Sequence, residues 1–70
     1  MSERTRSMTA IQLVRLLHGN GWVDVRQTGS HRHLKHSDKP GVLLTVPMHP
    51  GTLGRGLVAK ILKDAGVEES

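Results

Sequence analysis

Tight turns divide the middle of this sequence into three strand-like stretches, and the turns limit how the strands can pair. Residues 22–28 alternate β-branched and polar side chains, and the stretches 31–36 and 42–46 follow after turns rich in Gly, Ser, Asp and Pro. Parallel strands need a crossover connection of about a dozen residues or more, whereas antiparallel strands can be joined by tight turns. The three stretches therefore predict an antiparallel meander.

Helical patterns flank the meander on both sides. Thr9 and Gln12 have the spacing of a capping box, and the apolar period that follows predicts a helix over 9–18. A second apolar stripe predicts a helix over about 56–65, ended by Gly66. The stripes consist of Ala10, Leu13, Val14, Leu16 and Leu17 in the first helix and Leu57, Val58, Ile61, Leu62 and Ala65 in the second. We expect an α+β fold of order α-β-β-β-α, with a three-stranded antiparallel sheet and both helices on the face to which Leu34 points.

The length of 70 residues suits one domain with a small hydrophobic core. We expect this domain to occupy residues 9–67, after a flexible N-terminal segment at 1–8 and before a short tail at 68–70. The sequence has no cysteine, which excludes disulfides and thiolate metal sites. It shows no secretory signal and no apolar run near the roughly 20 residues that span a bilayer. We therefore expect a cytoplasmic protein with no membrane partner.

The charge balance points to an anionic partner. The formal net charge is +4 with all five histidines counted as neutral, although a merely solvated basic surface is the simpler alternative. Trp22 is the only Trp, Tyr or Phe, and it is interpreted as a core residue. Modules that read single-stranded bases stack them on several aromatic rings, so an RNA-recognition or cold-shock type of binder is not expected. Recognition of a nucleic acid through its phosphates, riboses and shape remains open.

The segment Gly29–His36 concentrates the chemistry of the chain, with three histidines, an arginine and a lysine. Successive side chains of a strand point to opposite faces. Leu34 is therefore predicted to point into the core together with Arg32, while His31 and Lys35 point to the other face. An imidazole that titrates near neutrality, held on a rigid strand among cations, suits a residue that cleaves or grips a polyanion.

Five short motifs follow one another along the chain: Gly21-Trp22, Gly29-Ser30-His31, Lys39-Pro40-Gly41, Val46-Pro47-Met48-His49 and the closing segment Gly56–Gly66. This ordered set resembles the HicA family of toxin–antitoxin ribonucleases over about residues 9–67. The resemblance implies a fold like that of the double-stranded-RNA-binding domain and an mRNA interferase activity. It also implies mRNA as the substrate, a HicB-like antitoxin as the protein partner, and a catalytic role for the histidine of the Gly-Ser-His motif, which is His31.

The residues themselves also make His31 a candidate general acid or base. An imidazole can move the proton of a ribose 2′-hydroxyl without a metal or a small-molecule cofactor, and nearby cations can stabilise the charged phosphate. The candidate RNA-binding residues are Ser30, Arg26, Arg32, His33, Lys35 and Lys39. For His33, the roles of general acid and of a merely exposed residue are alternatives. Scattered surface cations are the alternative interpretation of this set. His49 is interpreted as a structural residue of the loop that follows the third strand, with a contact to substrate as the alternative.

Three functions compete at this point. The main hypothesis is a metal-independent endoribonuclease toxin whose basic sheet face is covered by its antitoxin. A non-catalytic RNA-binding module would use the same fold to recognise phosphates and 2′-hydroxyls. A zinc-binding protein would use the spacing of His31, His33 and His36, but alternation places His36 on the opposite face, and a catalytic zinc site needs three protein ligands.

Overall fold

Over residues 7–67, the fold consists of two helices and a three-stranded antiparallel sheet, with one additional short strand pair. The structure is a computed structural model that describes residues 7–67, so most of the predicted N-terminal segment and the whole predicted tail lie outside the described residues. The elements are β1 (Met8–Thr9), α1 (Ala10–Gly19), β2 (Val23–Thr28), β3 (His31–Lys35), β4 (Leu44–Pro47), β5 (Thr52–Leu53) and α2 (Arg55–Ala65). The predicted α+β fold, with its α-β-β-β-α layout and antiparallel sheet, is confirmed.

The sheet has the strand order β2-β3-β4, and its register separates two chemically different faces. Leu34 lies opposite Leu44, and His33 lies opposite both Arg26 and Thr45. Because strand residues alternate between faces, the two leucines point into the core while His33 and its two neighbours lie on the other face. We call this second face the open face; its residues are Val23, Val25, Arg26, Thr28, His31, His33, Lys35, Leu43, Thr45 and Pro47.

The core lies between the sheet and the two helices. Its largest fully buried side chains are those of Trp22, Leu13, Leu17, Leu34, Val46 and Val58. Both predicted stripes are buried here except for two members, of which Leu16 is partly covered and Leu57 is exposed. The prediction for Leu57 is wrong, since this residue is 39 % exposed. It lies in the first turn of α2, beside Leu43 at the outer edge of β4 rather than beneath the sheet.

The helix ends follow the signals in the sequence. The capping box is present, since the Thr9 hydroxyl accepts from the Gln12 N–H at 3.1 Å and the Gln12 side-chain oxygen accepts from the Thr9 N–H at 3.0 Å. Gly66 ends α2 with a left-handed φ of 72°, which lets its N–H return to the last turn of the helix. Neither α1 nor α2, the helices of residues 7–67, is long and apolar enough to cross a membrane.

A short strand pair joins two segments that the sequence predicts to be a flexible N-terminus and a loop. Met8 lies opposite Leu53, and Thr9 lies opposite Thr52. Strands of two residues carry no usable alternation, so the pairing has no periodic signal in the sequence. It anchors the far end of the segment that follows Pro47, next to the first turn of α1.

Candidate active site

A backbone hydrogen bond joins the β2–β3 turn to the chain that leaves β4. The N–H of Met48 donates to the carbonyl of Ser30 at 2.6 Å, which continues the antiparallel pairing one step beyond His31 and Pro47. His31 and His49 follow directly after the two bonded residues. Their ring centroids are 6.4 Å apart, with the ring planes at 78°. The register therefore brings together two histidines that are far apart in the sequence.

Both rings of this histidine pair, His31 and His49, are exposed. Within residues 7–67, neither ring has a hydrogen-bond partner. A neutral imidazole has one nitrogen that donates and one that accepts, and both keep that capacity when the protein does not use them. The pair can therefore take up and release protons at a molecule bound at this end of the sheet.

His33 lies beside the pair on the open face, and a partner on the next strand holds it in place. Its Nδ1 is 3.1 Å from the hydroxyl oxygen of Thr45, which lies directly opposite on β4. The ring is half-buried. Since Thr45 occupies Nδ1, Nε2 is the nitrogen that remains for a ligand among the described contacts of His33.

Arg26 and Lys35 form the cationic part of the open face. They line a shallow cleft of about 280 Å³ together with Val25 and Leu43. These two apolar side chains are 48 % and 45 % exposed. The open face therefore continues from the histidine pair to two exposed cations, with apolar side chains between them. Such cations bind phosphates, and the affinity falls as the salt concentration rises.

Arg32 points to the core side of the sheet, as strand alternation predicts. Its Nε donates to the side-chain oxygen of Gln27 at 3.2 Å, and a terminal guanidinium nitrogen lies 3.6 Å from a carboxylate oxygen of Asp24. The other carboxylate oxygen of Asp24 lies 2.8 Å from Nε2 of His18 on α1. These contacts connect α1 to the β2–β3 hairpin, and the structure does not bring Arg32 together with His31.

A comparison with known protein families finds a match. A family model described as the HicA toxin of bacterial toxin–antitoxin systems matches residues 11–67. The chain belongs to the HicA toxin family. It is therefore the toxin of a toxin–antitoxin pair, and membership implies an antitoxin as its partner. A search of curated proteins finds no match.

The Gly-Ser-His motif of this HicA toxin builds the turn that presents His31. Gly29 has a φ of 59°, a left-handed conformation that glycine adopts without steric cost. Ser30 is exposed, and its carbonyl is the acceptor that fixes Met48. The structure thus gives Ser30 a role through its backbone, and an RNA contact by its hydroxyl stays a prediction.

Lys39 lies beyond the end of β3 that is farthest from His31. A Cβ atom at Gly66 would be 3.3 Å from the ammonium nitrogen of Lys39, so this cation rests against the C-terminal end of α2. A cation there interacts favourably with the helix dipole. The structure therefore places Lys39 outside the surface that contains His31, His33, Arg26 and Lys35.

His36 uses both ring nitrogens within the HicA fold. Its Nδ1 accepts from the N–H of Asp38 at 3.0 Å, so Nε2 carries the proton and donates to the carbonyl of Asn20 at 3.0 Å. The ring also packs edge-on against Trp22, with centroids 5.3 Å apart. His36 is thus a structural residue on the core side of the sheet. In the described part of the chain, no three His, Cys, Asp or Glu side chains lie close enough to hold a metal ion.

His49 is the residue that sequence reasoning missed. The prediction made it a structural loop residue, whereas the structure places its ring beside that of His31. The signal lies in the register of β3 against β4, which only the folded sheet shows. If His33 pairs with Thr45, the same antiparallel ladder puts Pro47 opposite His31 and makes His49 the diagonal neighbour of His31 on the open face.

Proposed function

We propose that this HicA toxin is a metal-independent endoribonuclease that cleaves mRNA in the cytoplasm, with His31 transferring protons at the reacting phosphate. One observation carries the proposal: the exposed ring of His31, unpaired among the described residues, stands at the end of a strand on the face that holds Arg26 and Lys35. A strand fixes the position of such a group better than a loop does, which favours catalysis through orientation.

The chemistry needs only proton transfer and charge stabilisation. When a base removes the proton of a ribose 2′-hydroxyl, that oxygen attacks the adjacent phosphorus, and the bond to the 5′-oxygen of the next nucleotide breaks. The products are a 2′,3′-cyclic phosphate and a 5′-hydroxyl. A positioned general acid or base contributes about 10²–10⁴-fold in rate. Cations that face the phosphate add stabilisation of the charge that develops on its oxygens.

The open face supplies the remaining RNA contacts of the proposal. Arg26 and Lys35 are placed to bind phosphates, and Nε2 of His33 can donate to or accept from the same backbone. The Ser30 hydroxyl lies at the edge of this surface. Two residues predicted from the sequence, Arg32 and Lys39, lie elsewhere in the fold, and the proposal does not include them.

The same face is the surface that we propose a HicB-like antitoxin covers. A partner that sits over the histidine pair would exclude RNA from the site. An acidic partner surface would match the cations there and would speed association by electrostatic steering. Inhibition by occlusion then needs no change in the toxin's own fold.

The test is cleavage of an mRNA by the purified protein in the presence of EDTA. We expect wild type and the control variant His18→Ala to cleave, and we expect His31→Ala to lose activity while circular dichroism shows it folded. Mapping of the 5′ fragment should find a 2′,3′-cyclic phosphate. Tight RNA binding by wild type without cleavage would replace this proposal with the non-catalytic RNA-binding module. Cleavage at the wild-type rate by folded His31→Ala would place the active site elsewhere.

A further inference from the structure

The two rings of the histidine pair can take different roles in the proposed reaction, one as the base and the other as the acid. We propose that His49 is a second catalytic residue, the general acid that protonates the leaving 5′-oxygen while His31 acts as the base. This inference rests on the proposed ribonuclease activity and adds to it a residue with a defined role. It starts from the 6.4 Å separation of the two ring centroids.

The fold holds His49 in place although it lies outside a regular strand. On one side, the bond from Met48 to the Ser30 carbonyl anchors the preceding residue to the turn that carries His31. On the other side, the chain enters β5 at Thr52, which pairs with Thr9. The connecting segment is therefore short and held at both ends, which limits how far the His49 ring can move.

There is space for RNA beside this ring. An open cleft of about 380 Å³ lies between the His49 loop and the first turn of α1, and its walls include Met48, Pro50 and Ile11. The cleft and the open face meet at the histidine pair. A strand of RNA that crosses the pair can therefore continue on both sides of it.

Two proton transfers occur in the proposed cleavage, and they take place at different oxygens. The attacking 2′-oxygen and the leaving 5′-oxygen stand on opposite sides of the phosphorus when displacement is in line. A proton-transfer group must come within hydrogen-bond reach of its oxygen, about 2.6–3.2 Å between heavy atoms. One ring cannot hold that distance to both oxygens at the same time, whereas two rings on either side of one phosphate can.

The proton balance of the step closes with the two histidines alone. His31 takes the proton of the 2′-hydroxyl as the bond between the 2′-oxygen and phosphorus forms. His49 gives its proton to the 5′-oxygen as the bond between phosphorus and that oxygen breaks. After product release, His31 is protonated and His49 is neutral, and exchange with water restores the starting state because both rings are exposed.

A purely structural role fits His49 poorly. The structural histidine of this fold, His36, has both ring nitrogens hydrogen-bonded within the protein, and His18 has Asp24 as its partner. His49 has no hydrogen-bond partner in residues 7–67 and is exposed. Its edge-on contact with His31 is solvent-exposed, so removing the His49 side chain takes little from the core.

The test uses two versions of one oligoribonucleotide that wild type cleaves at a single bond. The first has the natural 5′-oxygen at the scissile bond, and the second has sulfur in its place. Sulfur leaves as a thiolate and does not need a proton from a general acid. On the natural substrate we expect His49→Ala to lose about 10²–10⁴-fold in rate. On the sulfur substrate we expect it to regain a rate close to wild type.

Four comparisons make the result specific. His31→Ala should be impaired on both substrates, because the base is needed whichever atom leaves, and the control His18→Ala should cleave both like wild type. Affinity for an uncleavable analogue with a 2′-deoxyribose at the cut should be unchanged in His49→Ala. His49→Gln, which keeps a polar side chain, should behave as His49→Ala does.

Contrary outcomes separate this inference from the function on which it rests. Natural-substrate cleavage by His49→Ala at the wild-type rate, or an equal loss on both substrates, would overturn the role of His49 alone. Rescue of His31→Ala instead of His49→Ala by sulfur would overturn the assignment of acid and base. Failure of wild type to cleave, or full activity of His31→Ala, would overturn the proposed function itself.

Discussion

The two ends of β3 use histidine in opposite ways. At the first end, His31 stands exposed beside His49, and neither ring has a hydrogen-bond partner in the described structure. At the far end, His36 donates and accepts through its two nitrogens and packs against Trp22. The difference shows that, in this fold, the role of a histidine is indicated better by whether its ring nitrogens are hydrogen-bonded within the protein than by the neighbouring sequence. Where the protein satisfies the ring, the residue holds the fold together; where it does not, the ring is available for chemistry.

The largest effects are expected when the two ends are truncated in turn. His31→Ala should lower the cleavage rate by about 10²–10⁴-fold with little change in Tm. His36→Ala should keep the cleavage rate per folded molecule but lose two hydrogen bonds, each contributing about 0.5–1.5 kcal/mol. Thermal unfolding monitored by Trp22 fluorescence, alongside the cleavage assay, measures both effects. If folded His36→Ala lost cleavage activity, His36 would also be needed for cleavage, and the two ends of β3 would not differ in this respect.

The next effect concerns the glycine that lies under His36. Gly21 has a φ of 94°, and a Cβ there would approach Nε2 of His36 to 2.5 Å. Gly21→Ala should therefore lower stability in two ways. It should strain the backbone by about 1–2 kcal/mol, and it should also displace the His36 ring. Gly29→Ala is the matched control, because Gly29 also has a positive φ but its Cβ would meet open space.

Chemical denaturation of these two variants gives the comparison directly. We expect Gly21→Ala to be clearly less stable than Gly29→Ala, and the difference measures what His36 contributes to holding the two loops together. Since one kcal/mol moves the Tm of a domain this small by about 4–8 °C, a thermal scan resolves it. Equal stability of the two variants would show that the His36 contacts contribute nothing.

Much of this fold follows from periodicity and turn chemistry. The helix stripes, the Thr9–Gln12 capping box, the buried Trp22 and the antiparallel meander all have local signals, and the structure confirms them. Leu57 misled the prediction because periodicity gives the stripe of a helix but not how far the sheet extends beneath it. The β1–β5 pairing joins two-residue segments that are far apart in the chain, so no local sequence pattern predicts it.

The candidate site was only partly predictable for a related reason. Alternation along β3 correctly separates His31 and Lys35 from Arg32, since it depends on neighbouring residues. The position of Lys39 against α2 and that of His49 beside His31 depend on contacts across the fold. Charge alone grouped the predicted cations into one RNA-binding set, whereas the structure distributes them over both faces and both ends of the sheet.

A smaller effect should separate the cations of the open face from Lys39. Arg26→Gln and Lys35→Gln should each weaken RNA binding and reduce the slope of log affinity against log salt by about 0.7, the value for one phosphate contact on a single strand. Lys39→Gln removes the same charge outside the open face, beside the C-terminal end of α2, and should leave the slope unchanged. Affinities measured for the uncleavable analogue over a salt series test this. If Lys39→Gln reduced the slope as much as Arg26→Gln does, RNA would extend to α2.

The smallest effect is expected for His18→Ala. His18 pairs with Asp24 on the surface, where both side chains are more than two-fifths exposed, at 44 % and 42 %. Exposed pairs contribute about 0–1 kcal/mol, so stability should fall only slightly and cleavage should stay intact. Loss of cleavage in this variant would mean that the α1 end of the sheet takes part in catalysis. Thermal scans and the cleavage assay measure the two quantities on one preparation.

The hydrogen bond from Met48 to Ser30 has a consequence for how a cell makes this protein. During synthesis, the hairpin of β2 and β3 emerges with His31 well before the residue that must sit beside it. The pair can form only after β4 has added to the sheet and Met48 has reached the turn. The core then still awaits Val58, Ile61 and Leu62 of α2. The residues up to and including α2 must therefore leave the ribosome before the histidine pair stands on a complete core.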